Sequence, residues 1–498
     1  MIPSILLTCI VFLSAIACVV IIVLPDRSAE DHTRLRTLGL FASGIQLLLA
    51  VVFALLVQIG LGAGGGVSSA SEENHSWFTA FSFTSAYHLT ADGISLVLLV
   101  LSTVLFFCVF FHSWRVHERV KLYIGLMLLL ETAVDGVLCS SDYVLYLMFW
   151  GLSIVPIYVM LRVWGGPERA RAAARYLVFA LTSYGLLTLA VLLVIVRAGQ
   201  HTSDLTTNFQ ALAGPVASAG FWLTLTACGI ALGVFPFHRW LIDAQSEAPA
   251  GVGAVLIGVV SKLGAYTLIR VGLGQFPAAA HQYQLLVVGF AVVGAIWGGL
   301  AALAQDDLRR FLGYSNVAQV SLILLAAGTQ TSVTLVGVVL FILAQGLSSG
   351  MLVLLGGVLE ERVRSRSIRA LGGLVTAAPR LAALWWVAVF TAIGIPVFAG
   401  FSAEVMLFSG SFPIHRIATV LVMASLVVTA AGLVWVGQRV FFGPLRETLQ
   451  RTRDVGTLEL AYLLPIVGAI VLAGVRPGAL TPVITNGVIQ ITTRLAGG

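Results

Sequence analysis

Charge is what this chain has least of. Only 10% of its 498 residues are Asp, Glu, Lys or Arg, against about 25% in an ordinary soluble domain. Disorder requires high charge and low hydrophobicity, so this composition excludes it. Cysteine is also sparse: five residues in 498 cannot staple a disulfide scaffold. Lysine is almost missing, with Lys121 and Lys262 the only two. The net charge of +6 is therefore carried by arginine, and its placement in loops argues against a nucleic-acid partner. Three motifs are absent as well. There is no Gly-rich phosphate loop, no CxxC pair and no His/Cys cluster at metal-binding spacing. The expectation is that no cofactor or metal binds this chain and that any hydride or redox chemistry lies elsewhere.

What remains is apolar. Hydrophobic residues make up 59% of the chain, gathered in runs long enough to cross a bilayer, about 20 residues each. Fourteen candidate spans follow: 3–24, 36–62, 93–114, 121–139, 143–164, 174–197, 219–246, 251–272, 283–303, 311–328, 333–357, 380–408, 416–438 and 457–475. The first has neither the basic start nor the small-residue cleavage site of a secretory signal, so it is read as a span. The fold class expected is an all-α polytopic membrane protein.

Basic residues sort themselves into alternate loops. One set holds Arg27, Arg34 and Arg36, then Arg115, Arg119 and Lys121, then Arg162, Arg169, Arg171 and Arg175. Arg239, Arg309 and Arg310 follow, then Arg362, Arg364, Arg366, Arg369 and Arg380, and lastly Arg439, Arg446, Arg451 and Arg453. Those are 22 of the 28 basic residues. The positive-inside rule puts these loops in the cytoplasm and both termini on the outer side. An odd number of spans would destroy the asymmetry. The longest loop, 63–92, is Gly- and Ser-rich and has no Lys or Arg.

Ionisable groups inside spans are costly, about 2.5–3.5 kcal/mol each on insertion scales, and are kept mainly where they face a bundle interior or a water path. Lys262 lies mid-span in GVVSKLGAYTLIR and is read as a proton-relay residue, with a structural ion pair to a neighbouring span as the alternative. Glu404, in IPVFAGFSAEVMLF, follows Gly394, Pro396 and Gly400, which predict an interrupted helix; the plainer role is capping a half-helix start. Gly233-Val-Phe-Pro236 predicts the matching break in span seven. His238 follows it, as relay or as hydrogen-bonded structural residue. Glu131 and Asp135 share one face of span four. Two carboxylates that close in a low dielectric cannot both ionise cheaply. Glu131 is read as functional, and Asp135 as a hydrated group near the outer surface.

Breaks five spans apart lie in antiparallel segments, the pattern of an inverted repeat. The chain then divides into 1–117 (spans 1–3), 118–275 (spans 4–8, first repeat), 276–440 (spans 9–13, second repeat) and 441–498 (a cytoplasmic loop and span 14).

Several stretches resemble a known family. They are YHLTADGISLVLLVLS at 87–102, DYVLYLMFWGLSIVPIYVMLRVWG at 142–165, FPFHRWLIDAQSEAP at 235–249, SKLGAYTLIR at 261–270, LRRFLGYSNVAQVSLILL at 308–325, LAQGLSSGMLVLLGGVLEERVRSR at 343–366, GFSAEVMLFSGSF at 400–412 and RVFFGP at 439–444. In this order they resemble the antiporter-like, proton-translocating membrane subunits of respiratory complex I, above all the subunit M branch of bacterial NADH-quinone oxidoreductase. The resemblance implies a fourteen-helix fold with two inverted five-helix repeats and broken helices 7 and 12. It also implies a bacterial inner membrane, neighbouring membrane-arm subunits and a quinone bound elsewhere in the complex. The family's eighth-span lysine matches Lys262, its twelfth-span acid Glu404, its PLHGWLPDAH histidine His238 and its fourth-span glutamate Glu131.

Four positions depart. The fifth-span glutamate of the family falls on Gly151 and the seventh-span lysine on Ala231. The tenth-span histidine falls on Gln319 and the AHGLS histidine on Gln345. Losing both members of the lysine–glutamate pair avoids stranding a buried charge. Glutamine hydrogen-bonds but does not accept a proton near neutral pH. The expected function is electron-transport-coupled proton translocation by an impaired or rerouted path through Glu131, His238, Lys262 and Glu404, with Asp135 as a partial substitute. The alternatives are a non-pumping structural paralogue in such a complex and a cation/proton antiporter or bicarbonate-uptake module.

Overall fold

The computed structural model describes residues 5–62, 72–80, 83–197, 203–205, 214–446 and 449–497. Among the described residues thirteen helical segments are long and apolar enough to cross a membrane, and with the shorter apolar helix Pro379–Ala392 and its continuation they make fourteen candidate crossings in the order expected. The first six are single helices: α1 Leu6–Val23, α2 Ala29–Gly62, α3 Gly93–His112, α4 Val120–Cys139, α5 Tyr143–Trp164 and α6 Arg169–Arg197. The seventh is broken into α7 Gly214–Leu232 and α8 Arg239–Glu247. The eighth is irregular, comprising α9 Ala250–Gly258, a 3₁₀ turn Val260–Lys262, α10 Leu263–Thr267 and a π-helical stretch Leu268–Leu273. A short α11 Pro277–Gln282 leads to α12 Gln284–Leu303, α13 Leu308–Thr329 and α14 Ser332–Val363. The twelfth crossing is broken into α15 Pro379–Ala392 and α16 Ala399–Ser411, and α17 Arg416–Phe441 and α18 Thr457–Val475 complete the set.

Local chemistry sets several boundaries. Asp92, Asp142 and Asp307 cap α3, α5 and α13, each carboxylate accepting backbone N–H bonds from the first turn that would otherwise go unpaired in an apolar medium. The two breaks use one device. Gly233 and Gly394 both adopt φ +68°, a conformation open mainly to glycine, and a proline follows each within three residues. Packing is graded from centre to rim. α14 is buried along its whole apolar window, whereas α6 is only 28% buried.

Two elements correct the sequence-based reading. Part of the 63–92 segment, read there as loop, is an antiparallel hairpin of β1 Glu72–Ala80 and β2 Phe83–Thr90; residues 63–71 and 81–82 lie outside the described residues. The hairpin is anchored by Glu73, which accepts bonds from the Leu7 and Thr8 amides at 3.1 and 3.2 Å at the start of α1. The C-terminal segment holds more than a loop and span 14. A further helix, α19 Pro477–Gly497, lies against the N-terminal end of α3, where a Cβ on Gly93 would strike the Val483 carbonyl. Its buried Val483, Ile484, Val488, Ile491 and Leu495 repeat at helical spacing.

Candidate functional site

Lys262 sits where the eighth crossing loses α-helical regularity. Its side chain is 2% exposed, and Nζ reaches Ser261 Oγ and Asn316 Oδ1, each at 3.4 Å. Among the described residues no carboxylate lies within ion-pairing distance of Nζ, so the ion-pair alternative does not hold. Asn316 in turn accepts a bond from Gln345 Nε2. That amide nitrogen also lies 3.5 Å from Gln319 Oε1, and Gln319 Nε2 donates to the Ala392 carbonyl at 3.1 Å. Asn316 and Gln319 are three residues apart on α13 and share a face. Asn316 Nδ2 and Gln345 Oε1 are buried with no protein partner, which marks places for water.

The chain of amides ends at a cavity of about 130 Å³ whose polar lining is Gln319, Glu404 and Thr429, the remaining wall being apolar, with Ile393, Phe408, Met423 and Leu426 among it. Glu404 lies in the second turn of α16, past the cap position its plainer reading required. Its carboxyl packs against Gly394, where a Cβ would collide with it.

His238 is caged by aromatic rings from three elements. Phe235 stacks on it at 5.8 Å, Tyr314 of α13 lies 5.9 Å away and Trp297 of α12 lies 6.4 Å away. Trp297 Nε1 donates to Nε2 at 3.3 Å, which assigns the ring proton to Nδ1. That atom is buried and has no partner.

Glu131 and Asp135 form a separate cluster between α1, α2, α3 and α4. Ser14 Oγ and Ser43 Oγ donate to Glu131 at 2.8 and 2.6 Å. Gln46 Nε2 and Ser102 Oγ donate to Asp135 at 2.5 and 2.6 Å, and Ser14 Oγ also meets Gln46 Oε1. Both carboxyls are 0% exposed. The expectation of a hydrated Asp135 at the surface is therefore overturned. α2 and α3 cover it, and they were invisible to a reading of span four alone. Gly151 carries no substitute acid: a Cβ there would lie 3.3 Å from the Tyr184 ring. Ala231 is the penultimate residue of α7, just before the break.

Sequence reasoning missed Asn316, Gln46, Ser14, Ser43 and Ser102. A signal existed for the first: Asn316 is the sole asparagine within the fourteen crossings.

The family described as NADH:quinone oxidoreductase/Mrp antiporter, TM, matches residues 140–430. NADH-quinone oxidoreductase subunit M of Rhodobacter capsulatus is 29% identical over 462 residues, covering 89% of each chain. NAD(P)H-quinone oxidoreductase chain 4-2 of Synechocystis is 30% identical over 451 residues, covering 88% of this chain and 78% of its own. Among solved structures, a chain of respiratory complex I from Thermus thermophilus with bound NADH superposes with TM-score 0.86 at 24% identity, over 97% of this chain and 99% of that one. A chain of the Mrp complex from Dietzia gives 0.85 at 20% identity, over 98% and 97%.

Proposed function

The chain belongs to the NADH:quinone oxidoreductase/Mrp antiporter membrane family, and from that premise we propose that it translocates protons by a rerouted path rather than by the family's lysine–glutamate pair. It is an antiporter-like membrane subunit of the complex I type. It works in a bacterial cytoplasmic membrane beside other membrane-arm subunits, with both termini on the outer side and with quinone and redox groups held elsewhere in the complex.

One observation carries this reading: the unbroken polar line Lys262–Asn316–Gln345–Gln319 that ends at the Glu404 cavity. Amides neither gain nor lose protons near neutral pH. They do hold water, and ordered water bridges polar groups almost as well as a direct hydrogen bond. Lys262 and Glu404 are then the titrating ends, and water held by three amides is the middle.

The first half contributes a shared proton, which follows from counting hydrogens. Three contacts run in series from Glu131 to Ser14, from Ser14 to Gln46 and from Gln46 to Asp135. Ser14 supplies one hydrogen, and the Gln46 amide supplies one to whichever side its nitrogen faces. With both carboxyls ionised, one contact is left without a hydrogen. A proton on Glu131 closes the chain in one amide orientation, and a proton on Asp135 closes it in the other. Flipping Gln46 thus accompanies transfer of the proton between the two acids.

The test is proton pumping in vesicles containing the whole complex, with Lys262→Ala against the native chain. A lower proton-to-electron ratio supports the path. An unchanged ratio sinks it and leaves the structural-paralogue reading. The fold match to the Mrp complex keeps cation/proton antiport as a second reading, which sodium-dependent proton exchange without electron donor would favour.

A further inference from the structure

We propose that the cytoplasmic rim between α6, α8 and α13 is a binding site for the headgroup of an anionic phospholipid. A cavity of about 210 Å³ opens there, lined by Arg171, Arg175, Arg239 and Arg310, with Asp243 at its wall. Asp243 is already held: Arg175 pairs with it and Arg310 lies 3.7 Å away. Glu247, also in the wall, bonds Arg366 from outside the cavity at 3.4 Å. Glu168 stands exposed at the edge. Arg171 and Arg239 are exposed, and among the described residues neither has a carboxylate within pairing distance. Two guanidiniums therefore face the cavity uncommitted, and their planar fork of donors matches phosphate oxygens.

The helix beneath states what is attached to the phosphate. On α6 the positions 171, 175, 178 and 189 fall on one face at 3.6 residues per turn. Below Arg171 and Arg175 that face is mainly apolar and stays uncovered, with Val178 63% and Leu189 53% exposed and Leu181 52% exposed beside them; the one hydroxyl among them, Thr182, is tied to the Val178 carbonyl. Val178 to Leu189 spans about 16 Å at 1.5 Å per residue, one half of a hydrocarbon core about 30 Å thick. A charged cavity continuous with an apolar stripe one leaflet long fits an acidic headgroup with its acyl chain on the stripe. A free phosphate would use the first feature and leave the second without purpose.

The probe is the full-length chain in detergent, exchanged into mixtures of phosphatidylcholine with a small fraction of phosphatidylglycerol, with retained lipid counted by native mass spectrometry. The native chain is expected to retain phosphatidylglycerol selectively. Arg171→Gln with Arg239→Gln is expected to lower that retention about tenfold or more, with phosphatidylcholine unchanged. Both residues are exposed and unpaired, so the double variant strands no buried partner, and Arg171→Lys with Arg239→Lys, which keeps the charge but not the fork, should restore only part of the selectivity. Equal phosphatidylglycerol retention by native chain and double variant would overturn the proposal. So would competition by millimolar inorganic phosphate, which would reveal a free-anion site instead.

Discussion

The two buried polar sites of this molecule keep opposite charges. In the first, Glu131 and Asp135 of α4 have no cation among their contacts, and every neighbour that reaches them is a hydroxyl or an amide. In the second, the eighth crossing supplies a cation to a line of neutral amides, and the nearest acid on that line, Glu404, stands across a cavity. A buried ion without a counter-ion is costly, and the two sites meet that cost differently. Four polar groups from α1, α2 and α3 enclose the carboxyls. Lys262 has two weak acceptors at 3.4 Å and orphaned amide atoms nearby that call for water. The first site is closed and counts its hydrogens; the second is open-ended and leaves amide atoms unpartnered by protein.

The largest effect should come from opening the closed site. Glu131→Gln keeps the volume and lets both serines rotate to new partners, so folding should lose only about 1 kcal/mol. It also removes a proton-carrying member of the series. Proton translocation by this subunit should fall by about tenfold or more, the scale on which a positioned acid or base matters. Asp135→Asn should do the same, because the series needs both ends. Pumping measured beside melting temperature checks this. If Asp135→Asn pumps normally while Glu131→Gln does not, the two carboxyls do not share a proton and the two sites are less different than they look.

An intermediate effect should come from giving the second site what the comparison says it lacks. Gln345→His and Gln319→His together put titrating rings into the amide line. An imidazole has an unperturbed pKa near 6.5, so translocation in the double variant should acquire a steeper pH dependence between about pH 5 and 8 than the native chain shows. A pH profile identical to the native one would mean that the amide line is not the conducting element.

How much of this was legible beforehand differed between the same two regions. Lys262 and Glu404 stood out because a charge in an apolar run has few explanations. Gly233 with Pro236, and Gly394 with Pro396, announced the breaks, since both residue types disfavour helix interiors. Asp135 was misplaced for a physical reason: its position along span four suggested the surface, but burial depends on α2 and α3, far away in sequence. Ser14, Ser43 and Ser102 were silent because a serine in a span usually bonds its own helix backbone. The irregular eighth crossing carries no proline, so its 3₁₀ and π turns had no local marker. The amphipathic α19 was readable, since its apolar residues recur at helical spacing after Pro477, but it lay past the last long apolar run.

The smallest effect lies outside the two buried sites, at the hairpin, where a histidine does meet acids. His88 of β2 contacts Asp204 through Nδ1 and Glu72 through Nε2, each at 3.0 Å, tying the hairpin to the segment 203–205. Burial alone would push its pKa down, but the hydrogen bond and charge of Asp204 and the charge of Glu72 outweigh burial and hold it above the ordinary 6.5. The sign follows from linkage: a group with a raised folded-state pKa stabilises fully below its unfolded value and loses that contribution as pH rises through the folded one. The hairpin should be held tightest below pH 6.5 and should loosen in the alkaline direction. Hydrogen exchange of the Ser85 to Leu89 amides, followed upward from about pH 6 and corrected for intrinsic rates, should show a modest loss of protection. His88→Gln should flatten that slope while leaving the interior sites alone. A slope unchanged in His88→Gln would assign the pH response to another group.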